Sequence, residues 1–274
     1  SITYPAVYEA FLRHVDVFNL NISWILSAGC LIESNFYHGL LVSTLGTLVI
    51  AGCVLASQVV SCRRCPEHDR EARAKIDQRH ASILFWISLL VYATVSSSVF
   101  RTFACDDLDN GNSFLRSDHS LECYTPKHKV FMAYASVMVA VFPLGIPVCY
   151  TVVLYRNRSS FKDRVGADAN TTNVAGFKEL WEPYRSQVYF YEVVECFRRV
   201  LLSGVVVFIF PNTAGQVATS LLLAIFTAAV FMALNPYVSR WHTWLARISH
   251  AVVILSLYVA LLQTVDDVDD DTSS

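Results

Sequence analysis

The stretch that decides the fold is WEPYRSQVYFYEVVECFRRVLLSGVVVFIFP, Trp181 to Pro211. Its apolar end, Val200 to Phe210, has eleven residues. At about 1.5 Å per helical residue, this run covers only about half of a bilayer core of about 30 Å. A membrane-spanning helix at this position must therefore include the charged residues that precede the run.

Those charged residues are Glu192, Glu195, Arg198 and Arg199. At about 100° per residue they occupy one arc, about a third of a helix wide. They are expected to face protein or water, because exposing a charge to hydrocarbon is costly. Two interpretations stay open. One is a packing network that pairs Glu195 with Arg198 or Arg199 and Glu192 with a neighbouring helix; the other is the lining of a path for an ion, a proton or a headgroup.

The composition indicates a multi-pass membrane protein. Hydrophobic residues make up 54% of the 274 residues and charged residues only 16%, which is too few for an ordinary soluble domain. The net charge of −2 argues against nucleic acid as a partner, so the expected partner is the lipid bilayer. The start at Ser1 shows no signal-peptide pattern and suggests a piece of a longer polypeptide.

Six apolar runs are long enough to cross a bilayer: Leu40 to Val60, Ala81 to Phe100, Val130 to Tyr155, Val188 to Phe210, Gln216 to Leu234 and Ile248 to Val265. They are longer than barrel strands and lack strict alternation, which predicts an all-α transmembrane helical bundle with about six spans. The predicted domains are an extracellular or interfacial approach segment over residues 1–38, the membrane domain over 39–265 and an acidic tail over 266–274. Trp241, Trp244 and Arg247 predict an interfacial helix that anchors the last span.

Lys and Arg residues predict the orientation. Residues 61–80, 156–186 and 235–247 carry fourteen of them, and the loops on the other side carry five, so these three segments are expected in the cytoplasm, with the plasma membrane as the expected location. The amino end, the loop 101–129 and the turn 211–215 are then outside, and so is the carboxyl end. The run from Arg63 to Arg79 alternates in charge and predicts a short solvated helix.

This orientation places three cysteines on the oxidising side: Cys30, Cys105 and Cys123. Three cysteines allow three pairings; a Cys105 to Cys123 bond would close the outer loop, and the partner of Cys30 stays open. Asn21, in an Asn-Ile-Ser sequence, is an outside candidate for glycosylation.

The third span contains the sequence Pro143-Leu144-Gly145-Ile146-Pro147. Two prolines remove two helix hydrogen bonds, and Gly145 permits bending or close approach. The segment is therefore expected to interrupt the span, either as a hinge with cation-binding carbonyls or as a static kink.

Metal sites are weakly indicated. Asp106, Asp107 and Asp109 supply oxygen ligands of the kind Ca²⁺ prefers, but the register does not fit an EF-hand loop, which favours a solvated loop. Cys62 and Cys65 have the spacing of a zinc ligand pair but lack a second close pair, so an acylated or inert thiol is expected. The sequence contains no catalytic constellation or nucleotide-binding fingerprint, and neither enzymatic activity nor a cofactor is predicted.

A series of motifs carries a family resemblance. In chain order they are Val17-Phe18-Asn19-Leu20-Asn21 before Cys30, Phe100-Arg101-Thr102-Phe103-Ala104-Cys105, Phe114-Leu115 with Asp118 to Cys123, the Pro143 to Pro147 segment, Leu180-Trp181-Glu182-Pro183-Tyr184-Arg185, Tyr191-Glu192-Val193-Val194-Glu195 with Arg198-Arg199, and Asn235-Pro236-Tyr237. With these motifs the chain resembles the TRP-like transmembrane family of fungi and protists, whose fungal members include flavin-carrier and polycystin-like proteins.

The resemblance implies transport or gating of ions or small solutes. It also implies a further span upstream of Tyr4 and, as in many protist and algal members, a cysteine-rich ectodomain as a partner in the same polypeptide; a homo-oligomer stays open. The turn Pro211 to Gly215 is too short for a selectivity filter. The competing functions are a membrane-anchored receptor or scaffold without transport, and lipid or cofactor handling.

Overall fold

The computed structural model describes residues 35–65, 69–107, 113–156, 158, 178–210 and 213–273. The α-helices are α1 (Phe36–Arg64), α2 (Arg70–Arg101), α3 (Pro126–Val139), α4 (Gly145–Arg156), α5 (Lys178–Trp181), α6 (Tyr191–Ser203), α7 (Ala214–Leu234) and α8 (Arg240–Ser273). The strands are β1 (Cys105–Asp107), β2 (Ser113–Leu115) and β3 (Asp118–Glu122). A π-helical segment, Ala140–Leu144, joins α3 to α4. The fold is the predicted all-α bundle, with one small sheet that the sequence did not indicate.

Among the described residues, five helical stretches are long and apolar enough to cross a membrane: Phe36–Arg64, Glu71–Arg101, Pro126–Arg156, Ala214–Leu234 and Arg240–Val265. They contain five of the six predicted spans and extend beyond most of them. The chain is therefore a multi-pass membrane protein. Many large apolar side chains on these helices are exposed, as Val49 and Leu222 are, which suits a lipid-facing surface.

One predicted boundary was wrong because a helix continues through a charged segment. The solvated helix expected within residues 63–79 is instead the start of α2, where the Asp69 side chain accepts a hydrogen bond from the Ala72 backbone N–H (3.0 Å). The helix expected at Trp241 is the first part of α8, which runs unbroken through the predicted acidic tail to Ser273. Of the predicted approach segment, residues 1–34 lie outside the described ranges.

The fourth predicted span is not one continuous helix. α6 is preceded by a 3₁₀ turn, Ser186–Val188, and followed by another, Val205–Phe208. The second break lies at Gly204, where an added Cβ would clash with the ring of Phe100. Close packing of the α6 end against α2 therefore requires glycine here, and glycine also weakens the helix.

The ends of this broken segment lie at opposite ends of the bundle. Before α6, the Arg185 backbone N–H donates to the carbonyl oxygen of Pro236 in the α7–α8 turn (2.8 Å). After α6, the carbonyl oxygen of Val207 accepts from Arg116 in the β2–β3 loop (3.2 Å). The segment therefore crosses the bundle, and the predicted six crossings consist of five long helices and one broken one. Below, the end at Pro236 is called the inner end and the end at Arg116 the outer end.

Helix α2 is the centre of the packing. At the outer half, Val95 and Val99 pack with Leu40 of α1 and with Ala135 and Met138 of α3. At the inner half, a second core joins α2 to α4, α5 and α6; it contains Phe85, Tyr92, Tyr150, Leu154, Leu180, Cys196 and Val200. Helix α8 packs mainly against α7. The broken crossing is thus held between α2 and α4 on one side and α7 on the other.

The three short strands form an antiparallel sheet in the order β1-β2-β3 at the outer end. A disulfide joins Cys105 to Cys123 and closes the loop over the sheet. This is one of the three pairings that the sequence allowed. The Asp118 carboxylate accepts a hydrogen bond from the backbone N–H of Phe36 (3.2 Å). This contact anchors the sheet on the first turn of α1, where the free N–H groups of a helix favour a negative charge.

Candidate functional site

The four charges of α6 lie on one face of a helix that is mostly enclosed by protein. Glu192 is 6% exposed. The side chains of Glu195, Arg198 and Arg199 are 12%, 18% and 28% exposed. The predicted arc is therefore turned inward, as charges in the middle of a bilayer require.

Glu195 is the centre of the charge group. Its Oε2 accepts a hydrogen bond from Arg198 Nε (2.9 Å), and its Oε1 accepts a second one from the same guanidinium group. The Nε of Arg199 lies 3.5 Å from Oε1. One carboxylate thus serves two guanidinium groups, where the sequence suggested one or the other, and the trio retains a formal charge of +1. Both the packing and the path interpretation require such pairing, so this contact does not choose between them.

The sequence suggested a partner for Glu192 on a neighbouring helix, but its partner is Tyr184. Its Oε2 accepts a hydrogen bond of 2.5 Å from the hydroxyl group of Tyr184, in the segment just before α6. Its Oε1 has no hydrogen-bond partner within the described ranges. Glu192 and Glu195 therefore have separate partners: a tyrosine hydroxyl group for Glu192 and two arginines for Glu195.

Tyr184 belongs to a buried junction between two turns at the inner end, the turn before α6 and the turn between α7 and α8. Its ring stacks on that of Tyr237, with centroids 5.2 Å apart. The Val238 backbone N–H donates to the carbonyl oxygen of Pro183 (3.0 Å), and Asn235 turns the chain after α7 with a positive φ of 39°. Burial, followed by the negative charge of Glu192, raises the pKa of Tyr184 well above its usual value, so this hydroxyl stays a donor.

A cavity of about 330 Å³ opens beside the charge group, between α6, α7 and α8 near the inner end. Its polar lining comes from six side chains: Glu195, Arg198, Arg199, His242, Ser249 and His250. Tyr191, Phe231 and Tyr237 form much of its aromatic wall. The enclosed charges therefore border open space of a size that admits water, ions or the polar part of a small solute.

The Pro143 to Pro147 segment does not break the third span. The helix passes through it as a π-helical segment, and an added Cβ at Gly145 would lie 2.9 Å from the Ala140 carbonyl oxygen. Pro147 has no N–H for the carbonyl of Pro143, four residues earlier, and the hydroxyl group of Tyr92 donates to that oxygen instead (3.1 Å). This freed carbonyl is therefore used in packing against α2; the hinge role stays a prediction.

Two carboxylates of the acidic outer loop have partners in the described part of the protein. Asp106 forms an ion pair with Arg116 (2.6 Å), and Asp107 accepts a hydrogen bond from Ser113 (2.5 Å). Asp109 lies outside the described residues. Asp106 and Asp107 therefore already have partners within the protein, and the calcium site stays an untested prediction.

The other candidate sites are the Cys62–Cys65 pair, the glycosylation candidate Asn21 and the outer cysteine Cys30. Cys62 lies beside Asp77, with its sulfur 3.4 Å from the carboxylate oxygen, and Cys65 is a free cysteine near the end of α1. Over the residues with described positions, neither belongs to a group of three metal-ligating side chains. Asn21 and Cys30 precede the described part of the chain.

Sequence reasoning missed three members of this site: Tyr184, His242 and His250. Tyr184 stood inside a recognised motif, but only the fold brings its hydroxyl group to Glu192. His250 carried a usable signal, because it is a polar residue inside the last apolar run and is 9% exposed. No protein-family model, no curated protein and no solved structure matches the chain.

Proposed function

We propose that this chain is the membrane domain of a TRP-like protein that moves or gates ions or small solutes. The observation that carries the proposal is the position of Glu195, Arg198 and Arg199, which are largely enclosed in a crossing segment and border a polar cavity. Enclosed charges beside open space are typical of substrate and ion paths in membrane proteins.

The form of the crossing also supports a gating role. α6 has only 13 residues and is flanked by 3₁₀ turns on both sides. Discontinuous helices near a polar cavity are a recurring feature of transporters, because the helix ends and the unwound backbone can bind substrates and ions there. In this proposal a movement of α6 relative to α7 changes access to the cavity.

The proposed orientation places residues 61–80, 156–186 and 235–247 in the cytoplasm, with the protein in the plasma membrane. The grouping of the loops supports it. Ser82, at the end of the first basic segment, donates to Glu179 (2.6 Å), and Pro183 and Arg185 bond to the α7–α8 turn. The described parts of the three basic segments therefore approach the same end, where the cavity lies.

Flux through reconstituted protein tests the proposal. Proteoliposomes with entrapped indicators for K⁺, Na⁺ and Ca²⁺ are expected to show uptake with the wild type and a changed rate with Glu195→Gln, which leaves Arg198 and Arg199 without their counter-charge. The matched control is Glu71→Gln, because the Glu71 side chain is 81% exposed. A folded wild-type protein that passes none of these ions and no small-solute tracer would favour the receptor or scaffold function instead.

Charge exchange separates transport from packing. If the charge group serves packing alone, Glu195→Gln lowers the melting temperature, and the double exchange Glu195→Arg with Arg198→Glu restores both folding and flux. A path function predicts that the exchanged protein regains stability while its ion selectivity changes, because the sign of the charge beside the cavity has moved.

Lipid or cofactor handling is the second candidate, and the same cavity favours it. Basic pockets between helices near the inner surface bind anionic headgroups. Native mass spectrometry of the protein extracted with its lipids distinguishes the two functions: retention of a lipid that Arg198→Ala releases, together with no ion flux, supports lipid handling.

A further inference from the structure

Two sulfur atoms and an imidazole meet at the outer end of the bundle. Cys105 lies at the start of β1, Cys123 follows β3, and His128 lies in the first turn of α3. The two sulfur atoms and one ring nitrogen of His128 all lie within 4.8 Å of one another. In the oxidised chain the cysteines form a disulfide.

The hydrogen bonds of His128 assign its proton. Its side chain is fully buried, at 0% exposed. Nε2 lies 3.1 Å from the carbonyl oxygen of Thr102; because a carbonyl oxygen only accepts, Nε2 carries the hydrogen. In the neutral ring the lone pair is then on Nδ1, and Nδ1 has no hydrogen-bond partner in the ranges that the structure describes.

This arrangement has the form of a prepared metal ligand. Histidines that bind metals usually donate their other N–H to a carboxylate or a backbone carbonyl, which sets the tautomer and the ring orientation. Two rings hold His128 in place: Tyr124 stacks on it with centroids 6.2 Å apart, and Tyr37 meets it edge-on at 6.4 Å. An unpartnered buried acceptor, on a ring that has a nitrogen within 4.8 Å of two sulfur atoms, points to a ligand.

We propose that reduction of the Cys105–Cys123 disulfide creates a zinc site formed by the two thiolates and Nδ1 of His128. Two cysteines and one histidine are a usual three-residue ligand set for Zn²⁺, with water at the fourth tetrahedral position. The Thr102 carbonyl is the outer partner that keeps the imidazole oriented. The inference is independent of the transport function proposed above. In the proposed orientation these cysteines face the oxidising side, so the disulfide is the resting form and the zinc form arises only where a thiol reductant is supplied.

The chemistry balances with a thiol as reductant. Two R–SH molecules convert the disulfide into two cysteine thiols and leave as R–S–S–R. Zn²⁺ then binds both sulfur atoms as thiolates, and the two thiol protons pass to solvent. His128 binds as the neutral imidazole and keeps its Nε2 proton. The link between β1 and the segment before α3 is thus kept in both states, first by a covalent bond and then by the metal.

Zinc binding by the full chain tests the site. The protein is purified in detergent as Cys62→Ser/Cys65→Ser, which removes the other close cysteine pair, and is reduced with a phosphine that adds no competing thiol. Equilibrium dialysis with elemental analysis is expected to show one more equivalent of Zn²⁺ in the reduced than in the oxidised protein. Thiol titration verifies the reduction. No gain in zinc after verified reduction overturns the proposal.

Two variants identify the ligands. In the same background, Cys105→Ser/Cys123→Ser is expected to abolish binding of the added zinc. His128→Gln is expected to lower the zinc affinity at least as much as the loss of an outer-shell contact does, which is about 10-fold to 100-fold. The matched control is His119→Gln on β3, whose side chain is exposed; it is expected to bind as the parent does. Unchanged zinc affinity in either ligand variant contradicts the assignment.

Cobalt substitution covers the case in which His128→Gln does not fold. The reduced parent protein loaded with Co²⁺ is expected to show the intense visible bands of a tetrahedral ion and near-ultraviolet thiolate charge transfer, both absent from Cys105→Ser/Cys123→Ser. Weak octahedral bands without charge transfer would overturn the site.

Discussion

The hydroxyl group of Tyr184 lies 2.5 Å from Oε2 of Glu192, and both side chains are buried. This bond connects the inner turns to the first turn of α6. Since Tyr184 also stacks on Tyr237, the carboxylate of α6 is tied through one phenol to the turn between α7 and α8. Glu192 of α6 is therefore linked through Tyr184 to Tyr237, which lines the cavity.

Tyr184→Phe is expected to destabilise the protein. It removes the donor and leaves both oxygens of Glu192 without a partner, which costs about 1 to 3 kcal/mol for a buried polar group. Thermal unfolding in detergent measures the effect. Tyr155→Phe is the control, because Tyr155 is 61% exposed. In a Glu192→Gln background the loss is expected to shrink; an equal loss in both backgrounds would show that the hydrogen bond is not its cause.

Arg198→Ala is expected to cost more than Arg199→Ala. Arg198 donates two hydrogen bonds to Glu195, whereas the Arg199 contact is 3.5 Å long. Breaking a buried pair costs about 3 to 5 kcal/mol, and the remaining arginine and partial exposure reduce this to about 1 to 3 kcal/mol. Lys75→Ala, in a pair whose side chains are 73% and 81% exposed, is the control. A smaller shift in melting temperature for Arg198→Ala than for Arg199→Ala would contradict the assigned geometry.

Asp118 is expected to make stability depend on pH. Hydrogen bonds from Ser120, and one from the Phe36 backbone N–H, lower its pKa below the usual 3.8. A carboxyl whose pKa is lower in the folded state stabilises above the unfolded value and loses that contribution as the pH falls through the folded value. Between pH 6 and pH 3 the melting temperature is therefore expected to fall less steeply with pH for Asp118→Asn than for the wild type. Ser120→Ala should flatten it in part; identical pH profiles would refute the role of Asp118.

Gly204→Ala is expected to lower stability by about 1 to 3 kcal/mol, the cost of overpacking. The added methyl group would overlap the ring of Phe100, at the place where α6 ends. Gly46→Ala is the matched control, since a Cβ there meets no atom within 4 Å among the described residues, and alanine favours a helix. Adding Phe100→Leu should recover part of the loss; a neutral Gly204→Ala would show that this contact does not decide the break.

Local composition was enough for much of the fold. Apolar runs such as Gln216 to Leu234 became the expected helices, because in hydrocarbon a backbone must satisfy its own hydrogen bonds, and a long apolar run does so as a helix. The distribution of Lys and Arg grouped the loops at two ends, and the structure groups their contacts in the same way. The compartment rule limited the disulfide to three pairings of Cys30, Cys105 and Cys123, and the structure contains the Cys105–Cys123 bond.

Only the tertiary structure decided how α6 is used. The sequence placed four charges on one face, but Glu192 finds Tyr184 through the folding back of a turn, and the helix ends where Phe100 leaves no room for a side chain at Gly204. His128 likewise comes beside the disulfide from another element. Helical periodicity and burial in a membrane depend on neighbours within a few residues, so they can be predicted from sequence. Partners across the bundle depend on how helices pack, and no local pattern encodes that.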